Sequence, residues 1–569
     1  MKEIRASFNG VIDEAARFVE KIQLLDKPLW EKVIAVFKDG KYEMGWHGEY
    51  WGKLMRGGCM VYKYTRSEEL YDTLTSAVKG LLLNQDGEGR ISTYAKGFEF
   101  SSWDVWCRKY VMYGLIYYMD ICRDEEFKKE ILTALIKHAD YIVAKIGKED
   151  GKKKITETSN FWRGANSSSI LRPFVMLYKL TKDKRYLDFA EYIISEGGIL
   201  GANLIDIASE DILAPYQYPV VKAYEVTSFF EGVFEYATLM NNQSLIDACI
   251  KYGNKILKTD LTLIGASGCY DELFDNSTKK QVTYTESHMQ ETCVTVTLME
   301  YFCRLLSYTG DARYADAIEC SFYNAFLGAI NRNFGSNDGL HFDSYSPILN
   351  NRRGLRVGGK QEFPDGSYYG CCAAIGAAGF GAITSMAARL ENGSLKFNFY
   401  ENGMLTFGES TVSVKTDYPF DSSVSICVTE CNGAFGISLR IPAWCQKYAV
   451  TLNGNEARGS FNKGYFTLCD TLKAGDTVDL VLDMPERIYS SEEFDSEVKN
   501  LFAVARGPIV FATADYDNSS AIKEFTSYEY ADGEATLKAL TALGNTVTLK
   551  NYSSCGMDWK ENISVWLKK

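Results

Sequence analysis

The sequence predicts an α/α toroid, an (α/α)6 barrel of six helical hairpins over residues 1–390, followed by antiparallel β-sandwich units over residues 391–490 and 491–569. Three observations predict this fold. A helical hairpin pattern repeats along the first part of the chain, and a polar and aromatic patch recurs at one place in each repeat. Near residue 391 the hydrophobic period then changes from helical to strand-like.

Five short polar breaks mark the hairpins. Each break follows an apolar helical stretch and ends at an aromatic residue or a leucine that opens a second amphipathic helix, and an Asp or Ser in the break is a candidate N-cap. After the third break, apolar residues recur at the spacing of one buried helical face. The residues that end the breaks are Leu70, Phe127, Tyr186, Leu245 and Tyr314, at spacings of 57, 59, 59 and 69 residues.

A patch of polar and aromatic residues lies 24 residues before each of these positions, at the N-terminal end of the first helix of the pair. One such patch alone is equally well explained as a helix cap. Five patches in register favour a binding site, because a closed ring of hairpins brings them to one mouth. The five positions are Trp46, Trp103, Trp162, Val221 and Gln290.

A sixth hairpin closes the ring. After a glycine-rich loop over about residues 331–370, the segment GCCAAIGAAGFGAITSMAARL predicts a helix that begins at Cys371 and Cys372. The N-terminal helix, about residues 12–25, is expected to be its partner. From about residue 391, alternating Val, Ile and Phe with Asn-Gly and Gly-Asp turns predict antiparallel strands that pack against the toroid.

Composition excludes several classes of protein. The chain has 569 residues, a net charge of −12, and no block of basic residues, so neither nucleic acid nor an anionic membrane is an expected partner. No stretch has the roughly 18 apolar residues of a membrane span. The N-terminus has no secretion signal, and fifteen cysteines, an odd number, favour reduced thiols. The expected location is therefore the cytoplasm.

Four side chains at two helix starts form a candidate metal site. Cys371 and Cys372 open one helix, and Glu291 and Cys293 open another at the equivalent level of the ring. Three thiolates and one carboxylate suit tetrahedral Zn²⁺, whereas sulfur ligands disfavour magnesium and calcium. Three interpretations stay open: a structural zinc site, which the spacing alone favours, a zinc site in which one thiolate attacks substrate, and buried thiols without metal.

The four histidines do not form an HExxH pattern, and no GxSxG segment is present. Cleavage of a glycoside also requires a protonated carboxyl group that meets the leaving oxygen. The segment SGCYDELFD, upstream of Glu291, offers Asp271, Glu272 and Asp275. Glu272 has apolar neighbours and is the candidate acid, with a solvated surface charge as the simpler explanation.

Several segments together resemble the β-L-arabinofuranosidase family of glycoside hydrolases, family 127 and its near relatives such as family 146. They are Glu291-Thr292-Cys293, the Cys371-Cys372 doublet, WDVWCRKY, LYKLTKDKRYLDFA, LRIPAWC and FAVARGPIVFA, and they span nearly the whole chain in the family's order. The resemblance implies an α/α toroid with β-sandwich domains and a Zn²⁺ cofactor bound by Glu291, Cys293, Cys371 and Cys372.

The resemblance also implies the reaction. It assigns Cys371 as a nucleophile that attacks the anomeric carbon and Glu272, in Asp-Glu-Leu-Phe, as the acid/base of a retaining mechanism. The substrate is expected to be a small oligosaccharide or glycoside from which a β-linked L-arabinofuranose or a related pentose is released. A homodimer is left open.

The chain departs from the family where relatives carry histidines that hold the sugar. It has Trp103-Asp104-Val105-Trp106 and Gly164-Ala165-Asn166 at those places, so the sugar recognised can differ. Arg163 or Lys109 would suit a carboxylate on an acidic sugar. Each substrate-wall candidate is equally a helix-end packing or salt-bridge residue. The candidates are Trp46, His47, Glu49, Trp103, Asp104, Trp162, Arg163 and Glu225.

Two rival functions stay open. One is a toroid glycosidase of the unsaturated-uronide hydrolase type, in which Asp104 and other carboxylates carry the chemistry. The other is a non-catalytic sugar-binding protein with a structural zinc ion.

Overall fold

The computed structural model describes residues 4–38, 40–42, 44–285, 288–333, 340–514 and 521–568. Six inner helices form a ring, and an outer helix packs on each of them, as predicted. Residues 334–339 of the glycine-rich loop lie outside the described residues. The inner helices are Gly48–Thr65, Asp104–Ile121, Leu171–Thr181, Ala223–Met240, Thr292–Thr309 and Ala378–Met386, and the outer helices are Glu68–Leu82, Glu125–Lys145, Lys184–Ser195, Gln243–Thr259, Ala312–Ser321 and Val11–Val19.

The ring is closed by contact between the last and the first inner helices, Ala378–Met386 and Gly48–Thr65. The tightest contact joins the first two inner helices, and Gly52 makes it possible. A Cβ atom at Gly52 would lie 1.9 Å from the carbonyl oxygen of Tyr110. Any larger residue at this position would push the two helices apart.

The polar breaks act as helix N-caps. At each break a side-chain oxygen accepts a hydrogen bond from a backbone N–H in the first turn of the outer helix. Each cap of this kind stabilises its helix by about 1 kcal/mol. The capping residues are Ser67, Asp124, Asp183, Asn242 and Asp311.

The C-terminal part is built from three sheets. A seven-stranded sheet begins with the N-terminal strand Ile4–Phe8, which pairs with Gly403–Phe407, so the chain's start belongs to a β-sheet rather than to the helical ring. The strands of this sheet, in spatial order, are Ile4–Phe8, Gly403–Phe407, Ser410–Thr416, Ser423–Glu430, Thr477–Leu482, Tyr448–Leu452 and Asn455–Glu456.

The second sheet has five strands and is not wholly antiparallel, because Gly436–Arg440 pairs in parallel with Ser394–Phe397. Its strands are Gly459–Asn462, Tyr465–Leu468, Gly436–Arg440, Ser394–Phe397 and Ala388–Glu391. The division of the chain at residues 390 and 490 stays a prediction.

The third sheet follows residue 485 and anchors the glycine-rich loop, since Asn351–Arg352 pairs with Asn562–Ser564. Its other strands are Glu486–Ser490, Leu501–Arg506, Ile509–Ala514, Ile522–Ala531, Glu534–Thr541, Thr546–Asn551 and Leu567–Lys568. Among the described residues, no helix is both long enough and apolar enough to cross a membrane.

A buried ion pair joins the ring to the second sheet. Arg440 is fully buried, and its guanidinium contacts the carboxylates of Asp316, at 2.5 Å, and Glu319 on the outer helix Ala312–Ser321. Removing the arginine leaves two carboxylates in an apolar interface without their counter-ion.

We expect Arg440→Met to lower the free energy of unfolding by about 3–5 kcal/mol, because a broken buried pair leaves an uncompensated charge. Urea or thermal unfolding followed by circular dichroism measures this. The exposed Arg185→Met is the control and is expected to change stability by less than about 0.5 kcal/mol. Equal stability of the two variants would contradict the role assigned to Arg440.

Candidate active site

A cavity of about 520 Å³ lies at the mouth of the ring, where the inner helices begin. It is lined by five of the eight predicted substrate-wall residues together with Cys371, Glu272 and Glu291. Four of the five patch positions lie one or two residues before an inner helix, as expected, whereas Trp162 lies nine residues before the helix Leu171–Thr181. The lining residues are Trp46, Glu49, Lys53, Trp103, Trp106, Phe161, Trp162, Lys222, Tyr224, Glu225, Asp271, Glu272, Glu291, Arg356, Val357, Gly359, Lys360 and Cys371.

The four predicted metal ligands come together at the base of this cavity. One ligand atom from each of Glu291, Cys293, Cys371 and Cys372 lies within 4.8 Å of the others. Glu291 Oε1 is 3.5 Å from Cys371 Sγ and 3.4 Å from Cys372 Sγ. Cys372 Sγ is 3.7 Å from Cys371 Sγ and 3.6 Å from Cys293 Sγ. Residues 80 positions apart in the chain therefore form one buried cluster.

These separations fit a tetrahedral metal site. Oxygen and sulfur ligands at about 2.0–2.3 Å from one ion lie about 3.5–3.8 Å apart, close to the four distances within this cluster. The other oxygen of Glu291, Oε2, is buried and has no hydrogen-bond partner among the described residues. A soft, sulfur-rich donor set with a buried carboxylate fits a transition-metal ion and does not fit magnesium or calcium.

The three cysteines of the cluster differ in their exposure to the cavity and in the pKa of their thiols. Cys371 lines the cavity and is 8% exposed, whereas Cys293 and Cys372 are fully buried. Hydrogen bonds from Cys293 and Cys372 hold the pKa of the Cys371 thiol well below its usual value. Burial raises the pKa values of Cys293 and Cys372 well above theirs. Cys371 is thus the thiol of the cluster that a ligand in the cavity can reach.

The glycine-rich loop packs against the sulfur of Cys371. Gly359 has a φ of +55°, and a Cβ atom there would lie 2.3 Å from Cys371 Sγ. Trp46 Nε1 and Tyr50 Oη both donate hydrogen bonds to Gly359 O at 2.8 Å. Only glycine fits this close approach, so the loop and the first inner helix together fix the position of the sulfur.

Glu272 reaches the cavity from the loop predicted to hold it. Its backbone is in the left-handed region, with a φ of 72°. Its carboxylate forms an ion pair with Lys222 Nζ, and Tyr345 Oη donates a hydrogen bond to Oε1 at 3.1 Å. The backbone of Leu273 bridges to Lys222, which holds this loop against the start of the helix Ala223–Met240.

Glu49 lies deeper, beside the sulfur cluster. It forms an ion pair with Lys53, with Nζ and Oε1 2.8 Å apart, and Trp106 Nε1 donates to its other oxygen. Burial raises the pKa of the Glu49 carboxyl, and the Lys53 charge opposes this rise. Burial likewise raises the pKa of Glu225, whose Oε2 has no hydrogen-bond partner among the described residues. Glu225 therefore offers a polar atom to a ligand.

Three predicted substrate-wall residues do not line the cavity. His47 is buried under the loop, with Nε2 2.9 Å from Glu362 O. Asp104 is fully buried and accepts hydrogen bonds from Phe100 N and the guanidinium of Arg108, so it ties the preceding loop to the start of its helix. Arg163 is exposed beyond the rim, and its carbonyl accepts a hydrogen bond from Leu200 N.

Lys109, proposed from sequence as a partner for an acidic sugar, also lies outside the lining. It is fully buried beneath Trp106, with Nζ 3.3 Å from the ring centroid. Burial lowers its pKa well below the usual value.

Several other residues of the site were not predicted from the sequence. Trp106 belongs to the motif WDVWCRKY, and Lys222 directly precedes the segment AYEV at the fourth patch. The sequence therefore contained a pattern that pointed to both residues. Tyr345, Arg356 and Lys360 come from the glycine-rich loop, where no periodic pattern predicts which side chains face the ring.

The mouth of this closed ring of helical hairpins is lined by tryptophans and carboxylates, side chains that suit contacts with a carbohydrate. The family model described as "Beta-L-arabinofuranosidase, GH127 catalytic domain" matches residues 12–376, and the GH127 middle domain matches residues 394–484. The chain therefore belongs to glycoside hydrolase family 127, as the sequence motifs indicated.

The individual relatives have low sequence identity to this chain. The chain is 23% identical over 450 residues to the non-reducing end β-L-arabinofuranosidase of Bifidobacterium longum subsp. longum, a match that covers 73% of this chain and 65% of the relative's length. It is similar to the crystal structure of a GH127 β-L-arabinofuranosidase from Geobacillus stearothermophilus T6, with a TM-score of 0.77, 18% identity and coverage of 99% and 100% of the two chains. The chain is also similar to the structure of another GH127 β-arabinofuranosidase, with a TM-score of 0.75 and 19% identity, and the match covers 100% of this chain and 96% of the other. These likenesses confirm the fold.

Proposed function

We propose that the chain is a retaining glycosidase that releases a terminal β-linked L-arabinofuranose, or a related pentose, from small oligosaccharides. Cys371 is the nucleophile and Glu272 the acid/base. The observation that carries this assignment is that Cys371 is the cluster sulfur that lines the cavity, where Glu272 also projects. The relatives named as β-L-arabinofuranosidases support the choice of sugar.

The first chemical step forms a bond between carbon and sulfur. The Cys371 thiolate attacks the anomeric carbon, the bond from that carbon to the leaving oxygen breaks, and Glu272 gives its proton to this oxygen. The sugar is then bound covalently to Cys371. In the second step Glu272 takes a proton from water, the oxygen of this water attacks the anomeric carbon, and the Cys371 thiolate leaves.

The proposed mechanism uses both the ionised and the protonated form of the Glu272 carboxyl group, and the neighbouring side chains affect the balance between them. The ion pair with Lys222 and the hydrogen bond from Tyr345 hold the ionised carboxylate, which is the form that takes a proton from water. Protonation of the leaving oxygen requires the acid form of Glu272, so the proposed mechanism requires the contact with Lys222 to loosen when the glycoside binds. Lys222 is then free to hold a sugar hydroxyl.

We infer that the ion bound by Glu291, Cys293, Cys371 and Cys372 is Zn²⁺, which four such ligands suit. When bound, zinc keeps the Cys371 thiol deprotonated at neutral pH and fixes its direction. The remaining work belongs to the chain: Gly359 leaves room for the sulfur, and Trp46 and Tyr50 hold the loop behind it.

The burial of Asp104 disfavours a uronide hydrolase that depends on this carboxylate, because both its oxygens already bind protein groups. If the chain were a non-catalytic sugar-binding protein with a structural zinc ion, it would not hydrolyse the substrates used in the tests below. A cytoplasmic location and a homodimer stay predictions.

Zinc binding is the first test of the site. We expect about one zinc ion per chain in protein purified without chelators, measured by mass spectrometry of the metal, and at least about tenfold weaker binding in Cys293→Ser, which loses one ligand. Cys303→Ser, a thiol outside the cluster, is the matched control. Zinc-free wild-type protein would overturn the metal assignment.

Trp162 is expected to bind the substrate at the rim. It is 36% exposed and lines the cavity, so a sugar ring can pack on its indole. Losing a contact of about 1–2 kcal/mol in Trp162→Ala should raise KM about 5–30-fold with little change in kcat. Phe461→Ala, an exposed aromatic in the second sheet, is the control. An unchanged KM would remove Trp162 from the site.

A further inference from the structure

The proposed zinc site carries an excess of negative charge. Three thiolates and one carboxylate bring four negative charges, and a divalent ion leaves two of them uncompensated. The four residues are all buried. A net charge in such surroundings is strongly unfavourable unless a counter-charge lies beside it. A buried cation is therefore expected within contact distance of the ligands.

Lys53 occupies this place. Its Nζ lies 3.8 Å from Cys293 Sγ and 2.8 Å from Glu49 Oε1, and its side chain is fully buried. The centroids of the Tyr224 and Tyr110 rings lie 4.8 and 5.2 Å from the same nitrogen. The ammonium group is thus enclosed by two anionic groups and two aromatic rings.

The fold explains how Lys53 reaches the cluster. Glu49 and Lys53 are four residues apart in the helix Gly48–Thr65, which puts both on one face. This helix packs against the short helix Cys371–Ile375 that carries the cysteine doublet. Lys222, the other lysine near the ligands, forms its ion pair with Glu272. Among the lysines that the structure describes, Lys53 is the one that contacts a cluster sulfur.

We propose that Lys53 is the counter-ion of the zinc site and acts as a positioning residue for it. Its positive charge offsets the Cys293 thiolate and strengthens metal binding. Cys371 has different neighbours, namely Cys372, Glu291 and the carbonyl oxygen of Gly358. The direct contact of Lys53 is therefore with a ligand sulfur that stays on the metal, and its charge also favours the thiolate of Cys371 without touching it. The proposal depends on the zinc assignment made above and not on the identity of the sugar.

The test is the zinc affinity of Lys53→Met, measured by competition with a chelator of known affinity. Partners of metal ligands typically contribute 10–100-fold to metal affinity, and we expect a loss of about that size with an unchanged circular dichroism spectrum. Lys109→Met removes another fully buried lysine that does not contact the cluster, and its zinc affinity should stay within about twofold of wild type. Lys53→Gln and Lys53→Arg provide a second pair, in which the charged variant is expected to bind zinc more tightly.

Glu49→Gln combined with Lys53→Met separates two roles of the lysine. If Lys53 served only Glu49, removing both charges would restore wild-type zinc affinity. The proposal instead expects the double variant to remain at least about tenfold weaker. Cobalt-loaded Lys53→Met should also show shifted thiolate-to-cobalt absorption bands.

Wild-type affinity in Lys53→Met, or recovery in the double variant, would overturn the counter-ion role. Absence of zinc binding by the wild-type chain itself would instead overturn the metal assignment on which it rests.

Discussion

Cys371→Ser is expected to lower kcat/KM for a β-L-arabinofuranoside by at least about 10⁴-fold, because the variant lacks the attacking thiolate. Serine is nearly isosteric and keeps the hydrogen-bonding environment of Gly358 and Cys372, so the fold should survive. Hydrolysis of a nitrophenyl β-L-arabinofuranoside, with a pyranoside panel beside it, measures the effect. Acid-quenched wild-type enzyme should carry one pentosyl group on the peptide that contains Cys371.

Loss of metal is the main confounding effect, and the cysteine doublet supplies the matched control. Cys372→Ser removes a proposed zinc ligand from the same helix turn, but its sulfur is fully buried and does not line the cavity. At equal zinc content, Cys372→Ser should be at least about 100-fold more active than Cys371→Ser. Activity of Cys371→Ser within tenfold of wild type would contradict the nucleophile assignment.

The ring could be predicted from sequence because its signals are local and repeated. The spacing of Leu70, Phe127 and Tyr186 reports helix pairs of similar length, and their Ser and Asp caps are short-range features. The N-terminal strand Ile4–Phe8 was missed, because its partner Gly403–Phe407 is about 400 residues away. Single-sequence periodicity contains no information on such a pairing.

The cluster of candidate metal ligands was predicted for a different reason. Cysteine is uncommon, and two helix starts at one level of a ring place Cys293 and Cys371 near each other. Charged residues were harder to place, because burial is decided by tertiary packing. Asp104 stands at a helix start like Glu291, yet it binds Arg108 and Phe100 N instead of facing the cavity. Lys53 was not singled out from the sequence: Glu49 lies four residues before it in the same helix, but Cys293 is brought to it only by the closed ring.

Glu272→Gln should separate the two chemical steps. For a substrate whose leaving group is a sugar alcohol, kcat/KM is expected to fall by about 10²–10⁴-fold, since an unprotonated alkoxide leaves poorly. A dinitrophenyl leaving group needs no proton, so covalent attachment to Cys371 should stay fast and the pentosyl enzyme should accumulate. Azide, which attacks without a general base, should then restore turnover and yield a glycosyl azide of retained configuration.

The neighbouring carboxylate provides the control for this assignment. Asp271→Asn alters a residue that lines the same cavity and faces Arg356 at 3.8 Å, without contact to Lys222 or Tyr345. It is expected to retain kcat/KM within about tenfold of wild type, to show no dependence on the leaving group, and not to respond to azide. If Asp271→Asn responds to azide and Glu272→Gln does not, the acid/base is Asp271. The ion pair between Lys222 and Glu272 would then serve to hold the loop, because the proton donor would be the residue beside it.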